Sequence, residues 1–154
     1  MKIVYAQKSW HPDDAKKGSV FLAGPTPREH TVPSWRPEAL QILKGLGFQG
    51  AVFVPEDEVW GMSGSKEQQI AWEWHALCET SVIAFWVPRD IHGGMPAFTT
   101  NVEFGMFVGS GKAILGYPES ANKMSYLRFH ADRVGMFVTH DIQSLLVKAV
   151  SYAS

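Results

Sequence analysis

The stretch Ser81-Val-Ile-Ala-Phe-Trp-Val87, followed by Pro88-Arg89-Asp90, a Gly93-Gly94 loop and Thr100-Asn-Val-Glu-Phe-Gly105, decides the fold. An almost purely apolar run reads as a strand buried on both faces, the habit of central strands in parallel sheets. The loop that follows returns to a helix, with Glu103 expected where loop turns into helix. In open α/β sheets ligands bind outside the carboxyl ends of the strands, so Glu103 is expected at the mouth of a crevice, ringed by Phe98, Phe104 and Phe107. Apolar neighbours raise a carboxylate's pKa and the positive end of a helix dipole lowers it. Thr100-x-x-Glu103 equally fits a capping box, in which hydroxyl and carboxylate satisfy backbone donors at a helix start.

The same pattern extends in both directions. Strands are expected at Lys2 to Ala6, Ser19 to Ala23, Ala51 to Val54, Lys112 to Gly116 and Gly135 to Val138. Helices are expected from an N-cap at Ser34 through Gly47, from the Ser65-x-x-Gln68 capping box to about Glu79, from Ser120 to about Ala131, and after Thr139. A loop covers Glu56 to Gly64. Alternating strand and helix predicts an α/β three-layer sandwich, flavodoxin-like or Rossmann-like, with a mainly parallel sheet of about five strands. No repeat, low-complexity tract or linker divides residues 1–154, so a single domain is expected.

Composition narrows the function. Lys and Arg number 14 against 15 Asp and Glu, and no basic cluster exceeds a pair, which argues against a nucleic acid polymer as partner. No apolar run approaches the roughly 18 residues that suggest a membrane span, and Met1 to Lys8 lacks the apolar core of a signal peptide. The single cysteine, Cys78, lies in an apolar helical pattern and suggests a buried thiol in a reducing, cytoplasmic setting. The six histidines fall in no metal-ligand spacing, and neither a P-loop nor G-x-G-x-x-G is present, so no metal or other cofactor is expected. A small molecule is the expected ligand.

On the helix after Ser65, Ile70, Trp74 and Leu77 form an apolar stripe that also carries Glu73. A carboxylate aimed at the core needs a cation, with Arg28, Arg36 or Arg89 as partner, or else the edge of a cleft. Two carboxylates at one crevice suit glycosyl transfer, one attacking an anomeric carbon while the other assists the leaving group. Gly24-Pro25-Thr26-Pro27-Arg28, at a strand end, can offer backbone N–H groups and a guanidinium to a sugar or phosphate, or can be a rigid turn. Aromatic side chains, Trp35, Trp72 and Phe98 among them, can stack on a base or simply fill the core.

Taken as an ordered set, Phe21-Leu-Ala-Gly-Pro-Thr-Pro-Arg28, Ser34-Trp-Arg-Pro-Glu-Ala-Leu40, Val52-Phe-Val-Pro-Glu56, Trp72-Glu73, Phe85-Trp-Val-Pro-Arg89 and Asn101-Val-Glu-Phe-Gly105 resemble the nucleoside 2-deoxyribosyltransferase-like family, over about Val20 to Tyr117. The resemblance implies a flavodoxin-like fold and a homo-oligomer whose neighbouring subunit completes the site. It also implies that Glu103 attacks C1′ of a 2′-deoxynucleoside, expels the nucleobase and passes the sugar to a second base or to water. Where the chain departs from the family, Glu73 is the candidate to supply the missing acid or a ligand-orienting carboxylate, with Asn101 as a candidate contact to sugar or base. Two departures stand out: Phe21 occupies the position of a tyrosine that supports the family's nucleophile, and an aspartate shortly before the nucleophile is absent. The Gly93-Gly94 to Glu103 segment is also similar to a broken form of the phosphoribohydrolase motif. With Arg28 and Arg89 it keeps open a nucleoside 5′-monophosphate and a hydrolytic outcome. A nucleotide-sensing module without catalysis is the remaining alternative.

Overall fold

The computed structural model describes residues 1–16, 18–59 and 64–154. In chain order the elements are β1 (Lys2–Tyr5), α1 (Pro12–Lys16), β2 (Ser19–Ala23), α2 (Arg36–Gly45), β3 (Ala51–Val54), α3 (Lys66–Glu79), β4 (Val82–Trp86), α4 (Phe98–Phe107), β5 (Ala113–Gly116), α5 (Ser125–Arg133), β6 (Val138–Thr139) and α6 (Ile142–Ala153). Part of the loop expected over Glu56 to Gly64, at 60–63, lies outside the described residues.

All strands pair in parallel, in the order β1-β3-β2-β4-β5-β6. Leaving out β1, this is the flavodoxin-like order, in which the chain first steps one way from its starting strand and then crosses to the other side. The sheet therefore has six strands rather than about five, because β1 adds an edge beside β3 and the two-residue β6 closes the other. The switch point lies between β2 and β4.

Strand side chains alternate between two cores. On one face Val20, Leu22, Val52, Val82, Ala84 and Ile114 meet Ala39 and Leu43 of α2 and Leu145, Leu146 and Ala149 of α6. On the other, Phe21, Phe53, Ile83, Phe85 and Leu115 meet Ala76 and Leu77 of α3, Phe104 and Phe107 of α4, and Leu127 and Ala131 of α5. Both helices that carry the expected carboxylates thus pack on the same face.

Several local expectations are corrected. Helix α3 keeps its capping box, Ser65 accepting from the Gln68 N–H, but its inward face is Gln69, Trp72, Glu73, Ala76, Leu77 and Thr80. Ile70 and Trp74 are exposed. Trp72 determines this rotation: its ring approaches Phe21 and Phe53, with centroids 6.3 and 6.2 Å away, and its indole N–H bonds to the Lys8 carbonyl at 3.0 Å. Cys78, expected to be buried, is exposed by the same rotation.

Helix α4 begins at Phe98, after Ala97 in the left-handed conformation at φ 60° and ψ 40°. Thr100 is already inside the helix and buried, so the capping-box reading of Thr100 and Glu103 fails. Ser34 is not the N-cap of α2, which Trp35 occupies without a side-chain cap. Asp141 rather than Thr139 caps α6, accepting from the Ser144 N–H at 2.7 Å. α5 starts later than expected, at Ser125, and the last strand shifts to Val138–Thr139.

Candidate active site

The loops at the carboxyl ends of β2, β3 and β4 and the inner faces of α3 and α4 enclose a cavity of about 110 Å³ at the switch point. It is lined by Gly24, Pro25, Thr26, Arg28, Pro55, Glu73, Pro96, Ala97, Phe98, Thr99 and Glu103. Beside it is a larger chamber of about 690 Å³, whose walls include Gln7, His30, Ser34, Glu56, Lys66 and Gln69. Thr26 and Pro55 belong to both walls.

Glu103 stands more than one turn inside α4, beyond the first-turn range over which a helix dipole acts strongly. No hydrogen bond or ion pair reaches its carboxylate among the described residues. Burial is the main cause that pushes its pKa up to about 8; the negative charge of Glu73 adds to the rise and Arg36 opposes it. Glu73 comes to the same cavity from α3. Burial raises its pKa too, and the Gln69 side-chain N–H, donating to Glu73 Oε1 at 2.6 Å, opposes that rise. None of the cations expected to pair with Glu73 forms a salt bridge with it among the described residues.

Arg36 is instead committed to Glu56. Its guanidinium is buried and donates to Glu56 Oε1 at 2.5 Å, to the Leu22 carbonyl at 3.0 Å, to the Gly24 carbonyl at 2.7 Å and to Thr26 Oγ1 at 3.1 Å. Ser34 donates to the same Glu56 oxygen at 2.7 Å. This network shapes the turn after β2, and sequence reading missed it: Arg36 looked like a partner for Glu73, and Glu56 like the end of a strand. The one available signal was a charged residue beside Trp35 at the start of a core helix. Gly24 is required in that turn, since at φ 147° a Cβ would lie 2.0 Å from the Trp86 carbonyl oxygen.

The other expected site residues divide. Gly24, Pro25, Thr26, Arg28 and Phe98 line the small cavity, with the Arg28 guanidinium 5.2 Å from the Phe98 ring centroid. Trp35 and Trp72 line neither space: Trp35 is buried with its indole N–H on the Pro25 carbonyl at 3.1 Å, and Trp72 packs inward. Arg89 and Asn101 also stand outside both walls. Arg89 donates to Asn101 Oδ1 and, at 2.9 Å, to the Lys123 carbonyl, tying β4 to α4 and to the approach to α5. Phe21 is fully buried beneath α3. Among the described residues no group of three or more His, Cys, Asp or Glu could hold a metal ion, and no helix is long and apolar enough to cross a membrane.

A flavodoxin-like parallel sheet with two carboxylates in a switch-point cavity defines the class as an α/β protein whose candidate site lies at the carboxyl ends of its strands. The family described as nucleoside 2-deoxyribosyltransferase like matches residues 17–121, more than half of the chain, and the chain belongs to that family. No curated relative matches it.

Proposed function

We propose that the protein transfers the sugar of a 2′-deoxynucleoside, through a deoxyribosyl ester of Glu103, to a second nucleobase or to water. The observation that carries this reading is the meeting of Glu73 and Glu103 in one poorly hydrated cavity, with neither carboxylate in a salt bridge among the described residues.

Two half-buried carboxylates that line one cavity, the charge of one raising the pKa of the other, titrate as a coupled pair, and the proposed chemistry starts from the form that carries one proton. In the resting site that proton belongs to Glu103, the carboxylate with the larger upward shift, while the Gln69 hydrogen bond favours ionised Glu73. The proton moves from Glu103 to Glu73, directly or through one water. Ionised Glu103 attacks C1′; as the C1′–O bond forms, the C1′–N bond breaks and its electron pair stays on the base nitrogen, which takes the proton from Glu73. In the second half, Glu73 accepts a proton from the incoming base or from water as that nucleophile attacks C1′ and releases Glu103. No metal or other cofactor enters these steps. The sugar occupies the small cavity against Gly24, Pro25 and Thr26, and the base extends past Glu73 toward the larger chamber, with Phe98 at the rim.

Arg28 supports a second reading, a nucleoside 5′-monophosphate as substrate with hydrolysis as outcome. Its guanidinium lines the same cavity and forms no ion pair among the described residues. A site that reads a phosphate loses most activity when the phosphate is removed.

The assembly we propose is a cytoplasmic homo-oligomer. Ile70 and Trp74 of α3 and Phe98, Val102 and Met106 of α4 are exposed apolar side chains on the two helices that carry the carboxylates. A second copy covering them would also close the cavity mouth at Phe98.

The test is base release and exchange by liquid chromatography, with deoxynucleosides and their 5′-monophosphates, with and without a second free base, on wild type beside Glu103→Ala. A new deoxynucleoside formed only with the second base, and only by wild type, supports transfer. Free deoxyribose or its phosphate supports hydrolysis. Ligand binding without turnover across the panel overturns the catalytic reading in favour of a sensing module.

A further inference from the structure

Resting on that reading, we propose that Gln69 is a positioning residue, which holds the Glu73 carboxylate in place and ready to receive the proton from Glu103. Gln69 and Glu73 stand one turn apart on the inward face of α3, and the Gln69 side-chain N–H donates to Glu73 Oε1 at 2.6 Å. The amide is itself held: Gln69 Oε1 accepts from the Gln7 side-chain N–H at 3.1 Å, and Gln7 Oε1 accepts from the Gly64 backbone N–H at 3.1 Å. A chain of amides therefore runs from the loop after β1 to the reacting pair.

This arrangement does more than an isolated glutamine on a helix could do. A free primary amide presents oxygen and nitrogen interchangeably to a neighbour. With its oxygen engaged by Gln7, Gln69 can present only an N–H to Glu73. A donor favours the ionised carboxylate. The orientation also fixes which oxygen of Glu73 is occupied, leaving Oε2 to take the proton. The charged groups facing Glu73 are Glu103 from α4 and Arg36 from α2, with Arg28 of the loop after β2 on the same cavity wall. Arg36 is engaged by Glu56, so Gln69 is the direct hydrogen-bond donor to Glu73 among the described residues. Gln69 also lines the larger chamber while Glu73 lines the smaller, so the helix turn between them joins the two spaces.

The experiment pairs a titration with kinetics. Glutamate side-chain carboxyl ¹³C resonances, assigned with Glu73→Gln and Glu103→Gln, are followed against pH in wild type, Gln69→Leu and Gln69→Glu. Beside them, kcat and KM for base release from deoxynucleosides are measured over the same pH range. Loss of the donor in Gln69→Leu is expected to move the Glu73 midpoint to higher pH, and the acid limb of kcat with it. A loss of roughly 10- to 100-fold in kcat with little change in KM is also expected, the scale of a hydrogen bond to a charged group. Gln69→Glu, which keeps the side-chain shape and adds a negative charge, is expected to raise the Glu73 midpoint further and serves if the leucine variant does not fold. An unmoved Glu73 midpoint in a folded variant overturns the proposal, even if activity falls. Absence of base release by wild type would sink the transfer reading instead, and the titration would still decide whether Gln69 governs Glu73.

Discussion

Glu73 and Glu103 reach one cavity of about 110 Å³ from two different helices, and the charge of Glu73 helps push the pKa of Glu103 up to about 8. Neither position is polar by accident of exposure. Each carboxylate is held in a poorly hydrated site and, among the described residues, lacks the salt bridge that buried charges usually find. Such a pair is costly to fold and useful for moving one proton.

The pH dependence of catalysis follows from that sharing. In the proposed mechanism the active form carries one proton on the pair, so kcat/KM is expected to be bell-shaped. Its alkaline limb falls near pH 8, where Glu103 releases the proton, and its acid limb lies where Glu73 is protonated, above the ordinary carboxylate value. Glu73→Gln should remove the bell. Activity that instead rises steadily through pH 8 in wild type would mean that Glu103 acts alone as a carboxylate.

Stability should show the same group with the opposite use. Between pH 4.5 and about 8 the folded chain keeps a proton on Glu103 that the unfolded chain has released. Stability is therefore expected to fall as pH rises through this window, by at most about 1.4 kcal/mol per unit from this group, and to level off above it. Glu103→Gln removes that loss. Urea unfolding at the two ends of the window should find the variant close to wild type at the acid end and more stable than wild type at the alkaline end.

Arg36 provides a structural test of the turn that shapes the cavity. Arg36→Leu leaves the half-buried Glu56 without its cation and takes the guanidinium donor from the Leu22 and Gly24 carbonyls. A loss of about 3–5 kcal/mol is expected, the range for breaking a buried pair from one side. Arg36→Lys should recover little, because an ammonium cannot reproduce the planar fork that serves so many acceptors. Chemical denaturation of both variants measures this directly.

The apolar face of α3 and α4 gives a fourth prediction. Trp74→Lys places a charge at an exposed aromatic whose ring centroid lies 5.8 Å from that of Phe107. Light scattering of wild type should report an oligomer and that of Trp74→Lys a smaller species, with little change in Tm if the helix itself is undisturbed. A monomeric wild type would rule out the proposed assembly.

How much of this was legible in the sequence differs by element. The run Val82–Trp86 is apolar throughout and Ser19–Ala23 is apolar after its first residue; runs this short, bounded by turn residues, suit strands covered on both faces, so the sheet and its layers could be read directly. The Ser65-x-x-Gln68 box was equally plain, because a capping box is a local hydrogen-bond pattern. Helix rotation was not. In α3, Ile70, Trp74 and Leu77 make as good a stripe as the observed inward face, and Trp72 reaching Phe21 and Phe53, from strands β2 and β3, chooses between them. The exposure of Cys78 followed from that choice.

The sequence by itself therefore determined the alternation of strands and covering helices and the glycine-proline turn after β2, because these rest on patterns between near neighbours in the chain. The tertiary structure alone decided that Arg36 serves Glu56, that Arg89 braces Asn101, that Trp35 and Trp72 face inward, and that Glu73 joins Glu103 under the hold of Gln69. Those outcomes depend on the crossing at the switch point, which brings together segments tens of residues apart. Burial and hydrogen bonding then assign each charged side chain a partner, or leave it without one, in a way that no local pattern encodes.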